Sequence, residues 1–187
     1  DLSQIQKILD KLNQNTDNLE KELERTLELF KQLQYEFKLD QAINDLKEQV
    51  AEQKSLLEKT EALEKNTESS EKNKGEEKDG NKDASKEDSN KESLESQELA
   101  DEQEKLSEDF EKTSEKIDEL KELGEELQQE DELPSDEDVS DVQEQQEESK
   151  EMLKQNSPSK AKSPQNKALQ KMQKMQQQME GAESSMS

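Results

Sequence analysis

Apolar residues enter this chain at steps of three and four. Leu2, Ile5, Leu9, Leu12, Leu19, Leu23, Phe30, Leu33 and Phe37 share one heptad frame, with Thr16 and Thr26 at the two missing steps. A repeat of 3.5 residues marks a helix that lays a narrow seam against another helix. The polar run from Asn13 to Asp17 lowers the hydrophobicity but keeps the register. The spacing therefore predicts one helix with a polar layer. After Phe37 the frame slips: Leu39, Ile43, Leu46, Val50 and Leu57 follow a seam displaced by about one residue, a local change of supercoil. The first predicted unit is a long coiled-coil helix over 1–63, about 90 Å in length at ~1.5 Å per residue.

From 64 to 93 the only apolar residue is Ala84, and Gly75 and Gly80 interrupt the charges. That composition predicts a disordered charged linker. A second coiled-coil helix is predicted over 94–130. Leu99, Leu106, Phe110, Ile117, Leu120 and Leu127 carry its seam, with Gln103, Thr113 and Gly124 at the weak steps. Pro134 ends it. Ser135 and the acids after it suit a helix N-terminus, which predicts an acidic, weakly amphipathic helix over 131–156. The Ser/Pro/Lys stretch 157–165 reads as a linker. A Met/Gln-rich amphipathic helix follows over 166–181, with Ala168, Met172, Met175 and Met179 on one stripe and Gly181 where a C-terminal cap belongs. The first two helices are expected to form an antiparallel hairpin that brings Phe110 level with Phe37, because ring contacts add to burial.

Composition narrows the fold class. Of 187 residues 42% are charged, 25% apolar and 2% aromatic, with a formal net charge of -24. A globular domain is ordinarily close to half apolar. The expected class is therefore all-α: long amphipathic coiled-coil helices with disordered acidic linkers and no compact globular core.

Candidate chemistry is sparse. Cys and His are both absent, and carboxylates on thin solvated helices keep ordinary acidity. No enzymatic activity, cofactor or small-molecule substrate is expected. The run from Asp136 to Asp141 resembles the start of a calcium loop, but its sixth position is Asp141, where the loop needs Gly. No metal site is expected. The net charge repels nucleic acid and anionic lipid. The Lys-rich stretch between Glu151 and Glu180 lacks Arg and aromatics, so it reads as a basic end attracted to acidic helices. No apolar run approaches the ~20 residues of a membrane span. The chain opens at Asp1 and reads as a segment of a longer protein.

The remaining candidates are interaction surfaces. Phe30, Tyr35 and Phe37 fall within eight positions, with Leu29 and Leu33 among them. They form either the thickest part of a helix–helix core or a docking anchor. Phe110 is the bulkiest residue of the second seam. Met172, Met175 and Met179 form either an amphipathic core face or an adaptable client-binding surface.

Three phrases carry a family resemblance: RTLELFKQL at 25–33, EKLSEDFEKTSEKIDELKELGEEL at 104–127 and NKALQKMQKMQQQM at 166–179. Their wording and order resemble large Bacteroidetes proteins grouped as domain of unknown function 4175. The resemblance implies N-terminal membrane helices upstream of this segment and an extended helical remainder on the extracytoplasmic side of the inner membrane. It implies no activity or catalytic residues. The expectation is a non-enzymatic structural or protein-interaction coiled-coil segment of a membrane-anchored envelope protein, binding protein partners or itself. The alternative is a chaperone-like client binder using the aromatic and Met faces.

Overall fold

The structure, a computed structural model, describes residues 1–73, 84–129 and 132–186. Within them the chain forms α1 (Leu2–Asn73), α2 (Ala84–Leu127), α3 (Asp136–Lys154) and α4 (Pro158–Ser185). Each packs on its neighbours in chain order, and α4 packs back on α1. Contacts give the directions. Lys38 pairs with Glu119 and Lys59 with Glu102, so α2 runs against α1. Ser96 Oγ donates to the Leu153 carbonyl and Lys121 pairs with Asp136, so α3 runs against α2. Gln165 lies on Thr60 and Glu180 on Lys47, so α4 runs against α1. The result is an up-down-up-down four-helix bundle.

Helix α1 is continuous because 1–73 contains neither Gly nor Pro and is rich in Leu, Glu, Lys and Gln. The side buried in the bundle follows its own heptad frame: Tyr35, Leu39, Ala42, Leu46, Gln49, Gln53, Leu56, Thr60 and Leu63. That frame is offset by two residues from the frame of Leu2 to Phe37. At 3.6 residues per turn, two residues rotate the seam by about 200°. The two seams therefore lie on opposite faces of one helix. The displacement of about one residue read from the apolar positions was too small, because three core seats are held by Gln49, Gln53 and Thr60.

The expectation of a chain without a compact core is corrected. Tyr35, Leu39, Leu46, Phe110, Ile117, Val142, Met172 and Met175 belong to one buried apolar cluster. Leu56, Leu63, Leu99, Leu153 and Ala161 belong to a second. Four narrow stripes facing one another make a core that no single helix could make. Composition understated it because Gln, Thr and Ser fill many buried positions.

A polar layer joins α1, α2 and α3. Gln53 and Gln103 exchange amide hydrogen bonds of 3.0 and 3.1 Å. Gln146 Nε2 donates to Gln53 Oε1 at 3.3 Å, and Ser149 Oγ donates to Gln103 Oε1 at 3.1 Å. One step away, Gln49 Nε2 donates to Thr113 Oγ1 at 2.8 Å and to the Asp109 carbonyl at 3.1 Å. These bonds set the hairpin register. The antiparallel pairing agrees with expectation, but Phe110 lies level with Gln49 rather than Phe37. Buried amides demand partners, whereas apolar rings tolerate a shift of layer.

The predicted linkers also change. The linker over 64–93 is helical up to Asn73 and from Ala84 onward; its middle, 74–83, lies outside the described residues. Thr67 Oγ1 and Glu92 Oε1 meet at 2.8 Å, closing the hairpin beyond the last apolar layer. Extending an existing helix through polar helix formers costs little. The stretch 157–165 is helical from Pro158 onward. Pro158 takes the first turn of α4, where its missing N–H is harmless. Pro164 sits in the helix interior, buried beside Ala161 and Gln165, so packing offsets its lost backbone bond. Gly181 does not cap α4, which runs on to Ser185.

Two substitutions test this core by urea denaturation. Gln103→Leu strands the Gln53 and Ser149 groups and should lower stability by about 1–3 kcal/mol. Gly124 lies beside Tyr35, and an added Cβ would stand at an ordinary 3.5 Å from Tyr35 Cε2. Gly124→Ala should therefore raise stability, by up to about 1 kcal/mol.

Candidate interaction surface

The two-residue offset leaves the first seam of α1 outside the bundle. Every residue from 1 to 30 is exposed, about 45 Å of helix. The nine apolar members of the first frame are all more than half exposed, from 52% at Leu9 to 83% at Leu2. Thr16 and Thr26 complete the stripe, and their hydroxyls donate back to the Leu12 and Glu22 carbonyls at 2.9 and 2.8 Å. Ile8, Leu27 and Leu29 widen it.

The seam overlaps the bundle over 31–38, where α1 serves two faces. Tyr35 is fully buried, and Lys31 and Lys38 pair with Glu126 and Glu119 of α2. Phe30, Leu33 and Phe37 point the other way and are 63%, 65% and 61% exposed. The aromatic cluster read as one feature is thus divided between core and surface.

The candidate residues separate accordingly. Leu29, Phe30, Leu33 and Phe37 lie together on the exposed seam. Tyr35, Phe110, Met172, Met175 and Met179 are buried in one apolar cluster. The methionine stripe is therefore core and not an open binding face, because α4 packs between α1 and α3. Leu2, Ile5, Leu9, Leu12, Leu19 and Leu23 join the exposed group, although their spacing had suggested a helix–helix core. The signal that separates them is the frame: the core seats of α1 follow the second frame, with Ile43 beside it.

The acidic start of α3 has a structural use. Ser135 Oγ accepts the Asp138 N–H at 3.1 Å, and Asp138 accepts the Ser135 N–H at 3.4 Å, a capping box. Lys171 of α4 donates to Asp138 at 2.7 Å and lies 3.1 Å from Asp141. The hydrogen bond from Lys171, then that from Ser135, holds the Asp138 carboxyl at about 2. The Lys171 ammonium is correspondingly pushed up by its bonds to Asp138 and Asp141. Among the described residues no acidic cluster is arranged to hold a metal ion, and no helix is long and apolar enough to cross a membrane. The basic α4 meets the acidic helices at Lys162–Glu64 and Lys171–Asp138.

Comparison with family models, curated proteins and solved structures found no match.

Because the folded carboxyl of Asp138 titrates below its unfolded value of 3.8, its stabilisation is present above pH ~4 and disappears as pH falls toward ~2. With Lys171 partly solvated, Asp138→Asn should cost about 1–2 kcal/mol at pH 7. Denaturant titrations should show that difference unchanged between pH 7 and 5 and reduced at pH 3.

Proposed function

We propose that this chain is a non-enzymatic interaction element: a four-helix head holding out a helical arm whose seam docks protein. The observation that carries the reading is the continuous exposed heptad stripe over 2–37, backed by a head whose own core is already filled. Large exposed apolar patches mark interaction sites on soluble surfaces. The resemblance to domain of unknown function 4175 supports placing the element in a membrane-anchored envelope protein, outside the inner membrane and below an upstream anchor. The arm would then hold partners at a distance from the head. No nucleic acid, cofactor or small-molecule substrate enters this reading.

A second reading, chaperone-like client binding, draws on Phe30, Leu33 and Phe37, which stand free of the bundle. It loses the methionines, which are core. A strict heptad also suits a helical partner better than an unfolded chain, whose side chains have no matching period.

A reporter enzyme heated with stoichiometric amounts of the intact chain separates the two. Under the interaction-element reading the reporter aggregates as it does alone. Suppression that disappears in Phe30→Ser/Phe37→Ser would establish client binding instead.

A further inference from the structure

We propose that the occupant of the arm's seam is the same seam of a second copy, paired parallel and in register as a two-stranded coiled coil. The inference rests on the interaction-element reading and names its partner. Five heptads over 2–37 exceed the three to four that sustain a coiled coil. The frame then ends: its next positions are Asp40, Asn44, Lys47, Ala51 and Lys54. The seam thus stops where the head takes over α1.

Self-pairing suits the polar layers. In parallel register Thr16 meets Thr16 and Thr26 meets Thr26. Each hydroxyl already donates to its own helix backbone, so enclosing these layers leaves no hydroxyl hydrogen without an acceptor. Phe30 meets Phe30 and Phe37 meets Phe37, on the side of α1 facing away from α2. Docking therefore leaves the bundle undisturbed.

Charge points the same way. Residues 1–37 carry eight acids and five bases, net -3, so the rest of the chain holds -21 of the total -24. The arm thus carries little net charge for its length, so two copies repel each other only weakly along it. Positions flanking the seam include Glu20, Glu22 and Glu36 but no Lys or Arg, so they do not select an acidic partner helix. In the parallel pair Glu20 faces Asn15 and Glu22 faces Leu27 of the other copy, and no like charges meet across the seam. The antiparallel register that matches Thr16 with Thr26 sets Glu20 and Glu22 against their own symmetry mates. The neighbouring antiparallel register buries each Thr against Leu.

Sedimentation equilibrium of the intact chain tests the pairing. The expected mass is twice the 21.6 kDa of one chain, with association strengthening as added salt screens the two acidic heads. Leu12→Glu/Leu19→Glu should raise the dissociation constant roughly 100-fold or more while leaving the thermal unfolding of the head in place. The chain has no cysteine, so Leu9→Cys and Leu33→Cys report geometry directly. In register, each variant links to itself under oxidised glutathione. Linking only in a mixture of the two variants would show the antiparallel pairing and overturn the register. A mass above two chains would overturn the two-stranded arrangement. A single-chain mass at all concentrations would overturn self-pairing. If that monomer still binds an apolar-surface dye through the seam, the interaction-element reading survives with another partner.

Discussion

The structure depends on a two-residue offset between two heptad frames carried by α1. Either frame alone would make an ordinary amphipathic helix with one wet face. Together they make a helix with two apolar faces about 200° apart, sharing only the short stretch around Tyr35 and Phe37. The face centred on Tyr35, Leu39, Leu46 and Leu56 is consumed by α2 and α4. The opposite face ends at Phe37 and stands exposed among the described residues. The head and the arm are thus two outcomes of one rule, applied on opposite sides of the same helix.

Within the head, the constraint that decides register is polar. The apolar layers are small and the helices long, so sliding one helix past another by a heptad would cost modest packing. It would also separate Gln53 from Gln103 and Gln49 from Thr113, leaving amides buried without partners at about 1–3 kcal/mol each. Glutamine suits this role because its amide both donates and accepts, so two of them can bond reciprocally across an antiparallel pair. The charged exterior adds a coarser preference. Helix α4 carries more Lys than acid and lies between acidic helices, with Lys162 on Glu64 and Lys171 on Asp138. Exposed pairs of this kind contribute little individually, but they favour placing the one basic helix where like charge would otherwise be densest.

Period was legible in the sequence; which face each period served was not. The seam of Leu99, Phe110, Ile117 and Leu120 could be read because only one frame runs through α2, and Gln103, Thr113 and Gly124 occupy its weak steps in the fold as they do in the pattern. In α1 the frames overlap, and the second is filled in part by Gln49, Gln53 and Thr60. A reading built on apolar residues sees a blurred slip there instead of a change of face. Helix ends were obscured for a different reason. Local composition around Ser157 to Pro164 says break, while burial of Pro164 and Gln165 against the bundle says helix, and tertiary packing prevails. The candidate interaction residues divided on the same point: Phe30 and Tyr35 are five positions apart, of similar character, and on opposite sides of one helix.

The arm's helicity follows from the head. An isolated helix bears its own nucleation cost and is marginal in water when short. Here the nucleus is supplied by residues packed in the bundle, and the helix propagates outward through a sequence free of Gly and Pro. The seam is therefore ordered before anything covers it, its Leu and Phe side chains already at heptad spacing. A partner that docks there does not have to fold the arm, which removes one of the larger costs of association. A chain of this composition could have kept 2–37 coiled and polar. Under the proposed reading, its extension from the head as a rigid apolar stripe is what makes the seam ready for contact.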